Sequence, residues 1–360
     1  MIVILPLSRS GMMPMDKFEK LASKPHLNGP KQQHYVPRFY LEGFTSDQTL
    51  SVFDRIKGEI RHRQKPQNIA TVGHLYTFED NQDRKRFDFE ALFGLVENAA
   101  APILNSLVQG ESLSSKDRES FALFLGLAAV RTPAAIADAK AAHAGLVKAQ
   151  TRHWYSDENE VLQNLKKKAG SEEDEASLRD QARKVAEMVR SDSYDVEVDS
   201  QFALHRSLNV WHIVAEELFK RDWVILHVPG DEHSFLTSDS PIVVQSMSSS
   251  LRHEPIGYGS PHAQILFPLT SKCALVASGL LARTGRSIIT VEDLHRFNLT
   301  IAQDCYRYVM GEDADLVERI TTELNLAETS WKPKSSVAVE YQIEVDGKVS
   351  ALGVLKRNGC

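Results

Sequence analysis

The sequence predicts an α+β protein: an N-terminal β-hairpin region, a central helical bundle, and a C-terminal antiparallel or mixed sheet with flanking helices. Three observations carry this expectation. Leu50-Ser-Val-Phe-Asp54 alternates around a turn with Glu59 to Arg63. From Asp88 the apolar spacing becomes helical and stays so to about residue 220. After Arg221 short apolar runs return, separated by turn residues, without the strand–helix alternation of a βαβ fold.

The elements follow in order. Residues 1–30 show no sustained period and are expected as a loose arm, with a single α+β domain over 31–360. Arg55 to Gly58 is the turn of the first hairpin, and Leu75-Tyr-Thr-Phe78 is a further extended piece. Leu92, Val96, Ala99, Ile103 and Leu107 make one apolar helical stripe, stopped by Gly110. Ser114 is a suitable N-cap for the next helix, with Asp117 in its first turn. That helix contains Phe121 to Val130, apolar on every side, so it is expected at the centre of the core. Arg131-Thr-Pro133 ends it, and an Ala-rich helix follows over 134–153. The charged segment 156–195 reads as one or two solvent-facing helices, and 199–220 as a single helix. Strands are expected at Trp223–Val228, Phe235–Thr237, Ile242–Val244, Gln264–Phe267 and Cys273–Val276. Helices are expected over 291–310 and 313–326, then a terminal hairpin turning at Asp346-Gly347.

Composition removes several function classes. Hydrophobic and charged shares of 42% and 25% are those of a globular chain, so wholesale disorder is not expected. No run approaches a membrane-spanning length, and the apolar start Met1–Leu7 reads as neither signal peptide nor anchor. Cys273, Cys305 and Cys360 are scattered and odd in number, which points to a reducing, cytoplasmic setting and away from thiolate zinc. The net charge of −6 is uneven: residues 1–75 carry 11 Lys+Arg against 6 Asp+Glu. That excess is either solvated surface or a face for phosphate. No glycine-rich nucleotide loop, P-loop or nucleophile elbow is present.

Five polar features remain. His34, in Gln33-His-Tyr-Val-Pro-Arg-Phe-Tyr-Leu41, is a general base, a metal ligand, or a histidine bonded inside an aromatic core. Glu90 and Glu97, seven residues apart, project along one line of a helix on the side of Phe93, where carboxylates hold a cation, an Arg, or only water. Arg131 closes the most apolar helix and needs partners, a carboxylate or a phosphate. Asp239, in Thr237-Ser-Asp-Ser-Pro241, is either the hinge of an Asx turn or a carboxylate at a strand end. His205, Asn209, His212 and Glu216 form a narrow polar stripe, either a solvent strip or a cleft lining.

Four islands, in this order, resemble the family catalogued as domain of unknown function 4238, found in bacteria and fungi. They are Gln33-His-Tyr-Val-Pro-x-Phe-Tyr-Leu-x-x-Phe44; Leu75-Tyr-Thr-Phe78 leading into Glu90 and Glu97; Arg131-Thr-Pro133; and Phe235-x-Thr-Ser-Asp-x-Pro241. Pro268-Leu269, then Asn298 before Arg307-Tyr308, extend the match weakly, to cover roughly residues 31–310. The resemblance implies that the family's recurrent polar positions fall on His34, Arg131, Asp239 and Asn298, with the two Glu as companions. It implies no activity. Ser240 departs from the more usual Asn.

Two functions are expected from different classes. One is a hydrolase, a metal-dependent phosphodiesterase or nuclease, with His34, Glu97, Arg131 and Asp239 as its catalytic set. There Asp239, Glu97 and His34 would hold a divalent cation, Mg²⁺ or Mn²⁺ being the candidates, and Arg131 would bind a phosphate or carboxylate of a nucleic acid or phosphoester substrate. The other is a non-catalytic binding or regulatory module, whose polar cluster is structural and whose Arg131 pairs with Glu97 or Asp239. No membrane partner is expected, and the oligomeric state stays open.

Overall fold

A computed structural model describes residues 25–168, 174–247, 256–279 and 285–334, with the backbone of 339–343 and 349–353. Most of the expected N-terminal arm and the Asp346-Gly347 turn lie outside the described residues. The fold is α+β, and the chain gathers into two compact units. The first draws on Met1–Ile136, Leu204–Arg252 and Ile256–Lys332, and the second on Ala137–Ala203 and Pro333–Cys360.

In the first unit the hairpin β2 (Leu50–Asp54) and β3 (Glu59–Gln64) forms as expected. Strand β1 (Gln32–His34) pairs antiparallel with β4 (Thr71–Gly73), and short β5 (Phe78–Glu79) pairs with β6 (Lys85–Arg86). The C-terminal half supplies β7 (Asp222–His227), β8 (Thr237–Ser238), β9 (Val243–Ser246), β10 (Ala263–Pro268), β11 (Cys273–Ser278), β12 (Gly285–Ile288) and β13 (Tyr308–Gly311). Five of these make a mixed sheet ordered β12-β7-β11-β10-β9, antiparallel except where β12 runs parallel to β7. Its middle strand, β11, is buried at every position. A second sheet is ordered β3-β2-β13-β8, so the N-terminal hairpin is completed by two strands from the far end of the chain.

The helices explain themselves locally. Helix Asp88–Gln109 ends at Gly110, whose φ of 94° is the left-handed value glycine adopts without strain. Ser114 caps Ser115–Val130 by accepting the Asp117 N–H at 3.1 Å. Residues 121–128 of that helix are all buried. It meets helix Trp211–Lys220 so closely at Gly126 that an added Cβ there would lie 2.9 Å from Ala215 and from the Trp211 carbonyl. The Trp211 indole donates to the Leu123 carbonyl at 2.7 Å across the same junction.

Five expectations are corrected. The buried face of Asp88–Gln109 is Phe93, Val96, Ala100, Ile103, Leu104 and Leu107, turned away from Leu92 and Ala99 because Phe93 packs edge-on against Tyr76 at 4.9 Å. The single helix expected over 199–220 breaks at Val210 into Ser200–Asn209 and Trp211–Lys220. The helix expected over 291–310 stops at Gln303, and Tyr308–Gly311 becomes a strand inside the second sheet. Leu75-Tyr76 lies in a turn, for a reason given below. Asp88–Gln109 is also long and apolar enough to cross a membrane by length and composition, contrary to the expectation; here Phe93, Val96, Ala100, Ile103, Leu104 and Leu107 are its buried residues, and 33% of its apolar stretch is buried.

In the second unit, Glu158–Lys168 and Glu175–Arg190 pack around Val161, Leu162, Leu178 and Ala182. Their other faces carry exposed ion pairs such as Lys166–Glu175. Strands β14 (Val339–Ile343) and β15 (Val349–Gly353) pair antiparallel.

Candidate functional site

The Gln33-His34-Tyr35 run has three separate tasks. Gln33, fully buried, accepts the Tyr76 backbone N–H at 2.7 Å and donates to the Thr77 hydroxyl at 3.1 Å. A side chain 43 residues away therefore fixes the turn that holds Tyr76. The Tyr76 hydroxyl, buried, donates to the Arg131 carbonyl at 2.7 Å. The Tyr35 carbonyl accepts Arg131 Nε at 3.1 Å. Strand β1 and the Tyr76 turn thus grip Arg131 from two directions, where the central helix ends.

Arg131 is 1% exposed. Its Nη1 lies 2.6 Å from Glu97 Oε1, and its guanidinium sits over the Phe93 ring at 5.4 Å. Its Nη2 is buried and makes no hydrogen bond. Glu90, two helical turns before Glu97, feels both groups but has no hydrogen bond of its own among the described residues. Burial pushes the Glu90 carboxyl up to about 7; the Arg131 charge opposes this and the Glu97 charge adds to it. His34 lies in the field of Glu97 and Arg131 as well. Burial holds its imidazole below the usual range, against hydrogen bonding with the backbone of Gln67 and Pro66, so the ring is neutral at pH 7. Its Nε2 is buried and makes no hydrogen bond. The Arg131–Glu97 pair is the partner choice left open by the sequence.

Asp239 does different work. It is fully buried, and its two oxygens accept the backbone N–H groups of Tyr306 and Arg307, each at 2.9 Å. Its own N–H donates to the Tyr308 carbonyl at 3.0 Å. Burial raises its carboxyl to about 7 against the lowering effect of these amides. Asn298 acts likewise, accepting the Leu236 N–H and donating to the Ser234 carbonyl, both at 2.9 Å. Tyr40, stacked on Phe267 at 5.0 Å, meets the Thr237 hydroxyl at 2.6 Å.

The structure therefore pairs Glu97 with Arg131, sets His34 and Glu90 within the field of that pair, and gives Asp239 a separate set of partners. Among the described residues no group of three or more His, Cys, Asp or Glu could hold a metal ion, so the expected set of Asp239, Glu97 and His34 does not form one. The polar stripe His205, Asn209, His212 and Glu216 is divided between two helices. His205 instead joins Phe78 and Phe89 in a half-buried group of rings, at 6.3 and 5.3 Å. Phe89 stacks on Phe93 at 6.1 Å, so aromatic surface leads from this group to Arg131. The sequence reading missed Tyr76 and the Tyr35 carbonyl; the signal for each was its place in an island, Tyr35 in the first and Tyr76 in the second.

Residues 32–315 match the model of the family described as Protein of unknown function (DUF4238), and the chain belongs to that family. No curated protein and no solved structure matches it. The four islands are bonded to one another in the structure: the first to the second through Gln33, the first and second to the third through Arg131, and the first to the fourth through Tyr40.

Proposed function

We propose that this member of the family is a hydrolase whose site is His34, Glu90, Glu97 and Arg131, working by acid–base chemistry on a bound water. The observation that supports it is the meeting, around one buried guanidinium, of two carboxylates and a neutral imidazole, with Arg131 Nη2 and His34 Nε2 still free of hydrogen bonds. Two carboxylates in unlike surroundings are the arrangement by which proteins separate a proton donor from an anion. Glu90, titrating near 7, exchanges a proton with the attacking water or the leaving group. His34, neutral, is the complementary base. Arg131 Nη2 donates to the oxygen on which charge develops, while Glu97 holds the guanidinium in place. Of the hydrolase readings, the acid–base form has better support than the metal-dependent one, because Asp239 is bonded to backbone amides and no three donors among the described residues are close enough together to hold an ion. A phosphoester or nucleic acid substrate, processed in the cytoplasm, is the version favoured by the basic excess of residues 1–75 and the buried free thiols of Cys273 and Cys305.

A second reading, a binding module held by a structural polar network, is favoured by Asp239 and Asn298, whose polar atoms are taken up by backbone. Glu90→Gln separates the two. Against chromogenic phosphodiesters, carboxylic esters and glycosides, the wild type is expected to turn over one class, and the variant to lose about 10²–10⁴-fold in kcat. Stability is expected to move the other way. A carboxyl raised from 4.5 to about 7 on folding gives its full stabilisation below pH 4.5 and loses it as pH rises through 7. Glu90→Gln should therefore match or exceed the wild type in thermal midpoint above pH 7. Unchanged turnover, or a variant that unfolds at every pH, supports the second reading instead.

A further inference from the structure

Asp54, at the end of β2, is fully buried and faces two guanidinium groups. Arg307 takes both carboxylate oxygens in a fork, Nε to Oδ1 at 3.0 Å and Nη2 to Oδ2 at 2.8 Å. The Ile56 N–H adds a third bond to Oδ1 at 3.2 Å. Arg61, on β3, bonds to the Tyr308 hydroxyl but has only the remainder of Asp54: its Nη2 stands 3.8 Å from Oδ2, beyond hydrogen-bond reach. Arg61 Nε and Nη2 are both buried and make no hydrogen bond. Both guanidiniums lie over the Tyr308 ring, Arg307 at 4.8 Å and Arg61 at 5.5 Å. Tyr308 stands opposite Asp54, and Arg61 opposite Val52, so all four side chains emerge on one face of the sheet. One carboxylate thus serves two cations, and the Nε–Nη2 edge left over on Arg61 is the edge that binds an oxyanion bidentately.

The surroundings carry the same sign. The hairpin and its exit hold Arg55, Lys57, Arg63 and Lys65 against Glu59. β3 is the edge strand of its sheet, and the Arg61 side chain is 30% exposed although its Nε and Nη2 are covered, so a turn of this long side chain brings its free edge to an anion in solvent.

We infer that Arg61, backed by Arg307 and Tyr308, binds a phosphate group, in a site separate from the Glu90–Arg131 cluster. A dianionic phosphate supplies what this place lacks: two oxygens for the Arg61 fork and charge for the surplus cation. Asp54 is the positioning residue, because its bond to Arg307 holds both guanidiniums on the Tyr308 ring.

The test is titration of the full chain with inorganic phosphate at constant ionic strength, by calorimetry and thermal midpoint, with chloride as the control anion. A second arm uses a fluorescent single-stranded oligonucleotide, followed by anisotropy. Wild type is expected to bind phosphate saturably, and Arg61→Leu to lose at least tenfold in affinity. Arg61→Lys, which keeps charge but loses the fork, should fall between them. Glu90→Gln should bind as the wild type does, which keeps this site independent of the hydrolase proposal. Phosphate competing with a tighter-binding oligonucleotide assigns the group to a nucleic acid; phosphate binding alone assigns it to a small phosphoester. Arg61→Gln, a milder change on the same exposed edge, replaces Arg61→Leu if the latter does not fold. Binding of neither probe, or equal binding by the Arg61 variants, overturns the inference.

Discussion

Asp239→Ala is expected to destabilise the protein by about 4 kcal/mol, a large share of the ~5–15 kcal/mol that holds a typical domain together. The carboxyl of Asp239 is the acceptor for two neighbouring amides, Tyr306 and Arg307, in a fully buried place. Removing it leaves both N–H groups without a partner and without water. The effect extends beyond that turn, because the Arg307 side chain is forked onto Asp54 and Tyr308 is paired into the second sheet. Urea unfolding measures the loss. Its pH dependence has a definite sign. The folded carboxyl is raised from 3.8 to about 7, so its contribution is complete below pH 3.8 and declines as pH rises through 7. The gap between wild type and Asp239→Ala should therefore be wider at pH 5 than at pH 8. A variant as stable as the wild type, inactive in hydrolysis, would return Asp239 to the catalytic set.

Arg131→Met is expected to cost about 3–5 kcal/mol, since it strips a buried pair of its cation. Glu97 loses its partner at 2.6 Å, the Tyr35 carbonyl loses its donor, and Glu90 loses the one charge that favours its ionised form. The coupling pattern is more telling than the single loss. Arg131→Met combined with Glu97→Gln should be clearly less damaging than the sum of the two, because the second change removes the charge left unpaired by the first. Arg131→Met combined with Asp239→Leu should show no such relief, as Asp239 is bonded to the amides of Tyr306 and Arg307. Chemical denaturation of the wild type, the three single variants and the two doubles completes both cycles. Relief in the Asp239 cycle instead of the Glu97 cycle would contradict the arrangement around Arg131.

The elements read correctly from sequence are those with local causes. Ser114 with Asp117, Gly110, and the alternation of residues 50–64 each act within a few positions, and all three determine real boundaries. The failures come from distance. Leu75-Tyr76 has a strand's composition, yet the turn there is set by Gln33, which no local pattern records. Val309-Met310-Gly311 is too short to show a period after a helical run, and becomes a strand only by pairing with β2 and β8. Exposed β12 has no apolar alternation at all; it is a strand because β7 offers it an edge. The candidate site divides in the same way. Glu90 and Glu97 were legible from helical spacing, His34 from its place in an aromatic run, and Arg131 from its place at the end of the most apolar helix. Asp239 looked like a strand-end carboxylate because the two amides that occupy it lie 67 and 68 residues further along the chain.

The proposed chemistry depends on Glu90 exchanging a proton near neutral pH. Carbon-detected NMR of ¹³C-glutamate-labelled protein follows its carboxyl directly, with Glu90→Gln to assign the signal. The expected titration midpoint is about 7 in the wild type and lower in Glu97→Gln, where the neighbouring negative charge is gone. A Glu90 signal that titrates at the ordinary 4.5, indifferent to Glu97, would leave the cluster without its proton donor and contradict the hydrolase proposal.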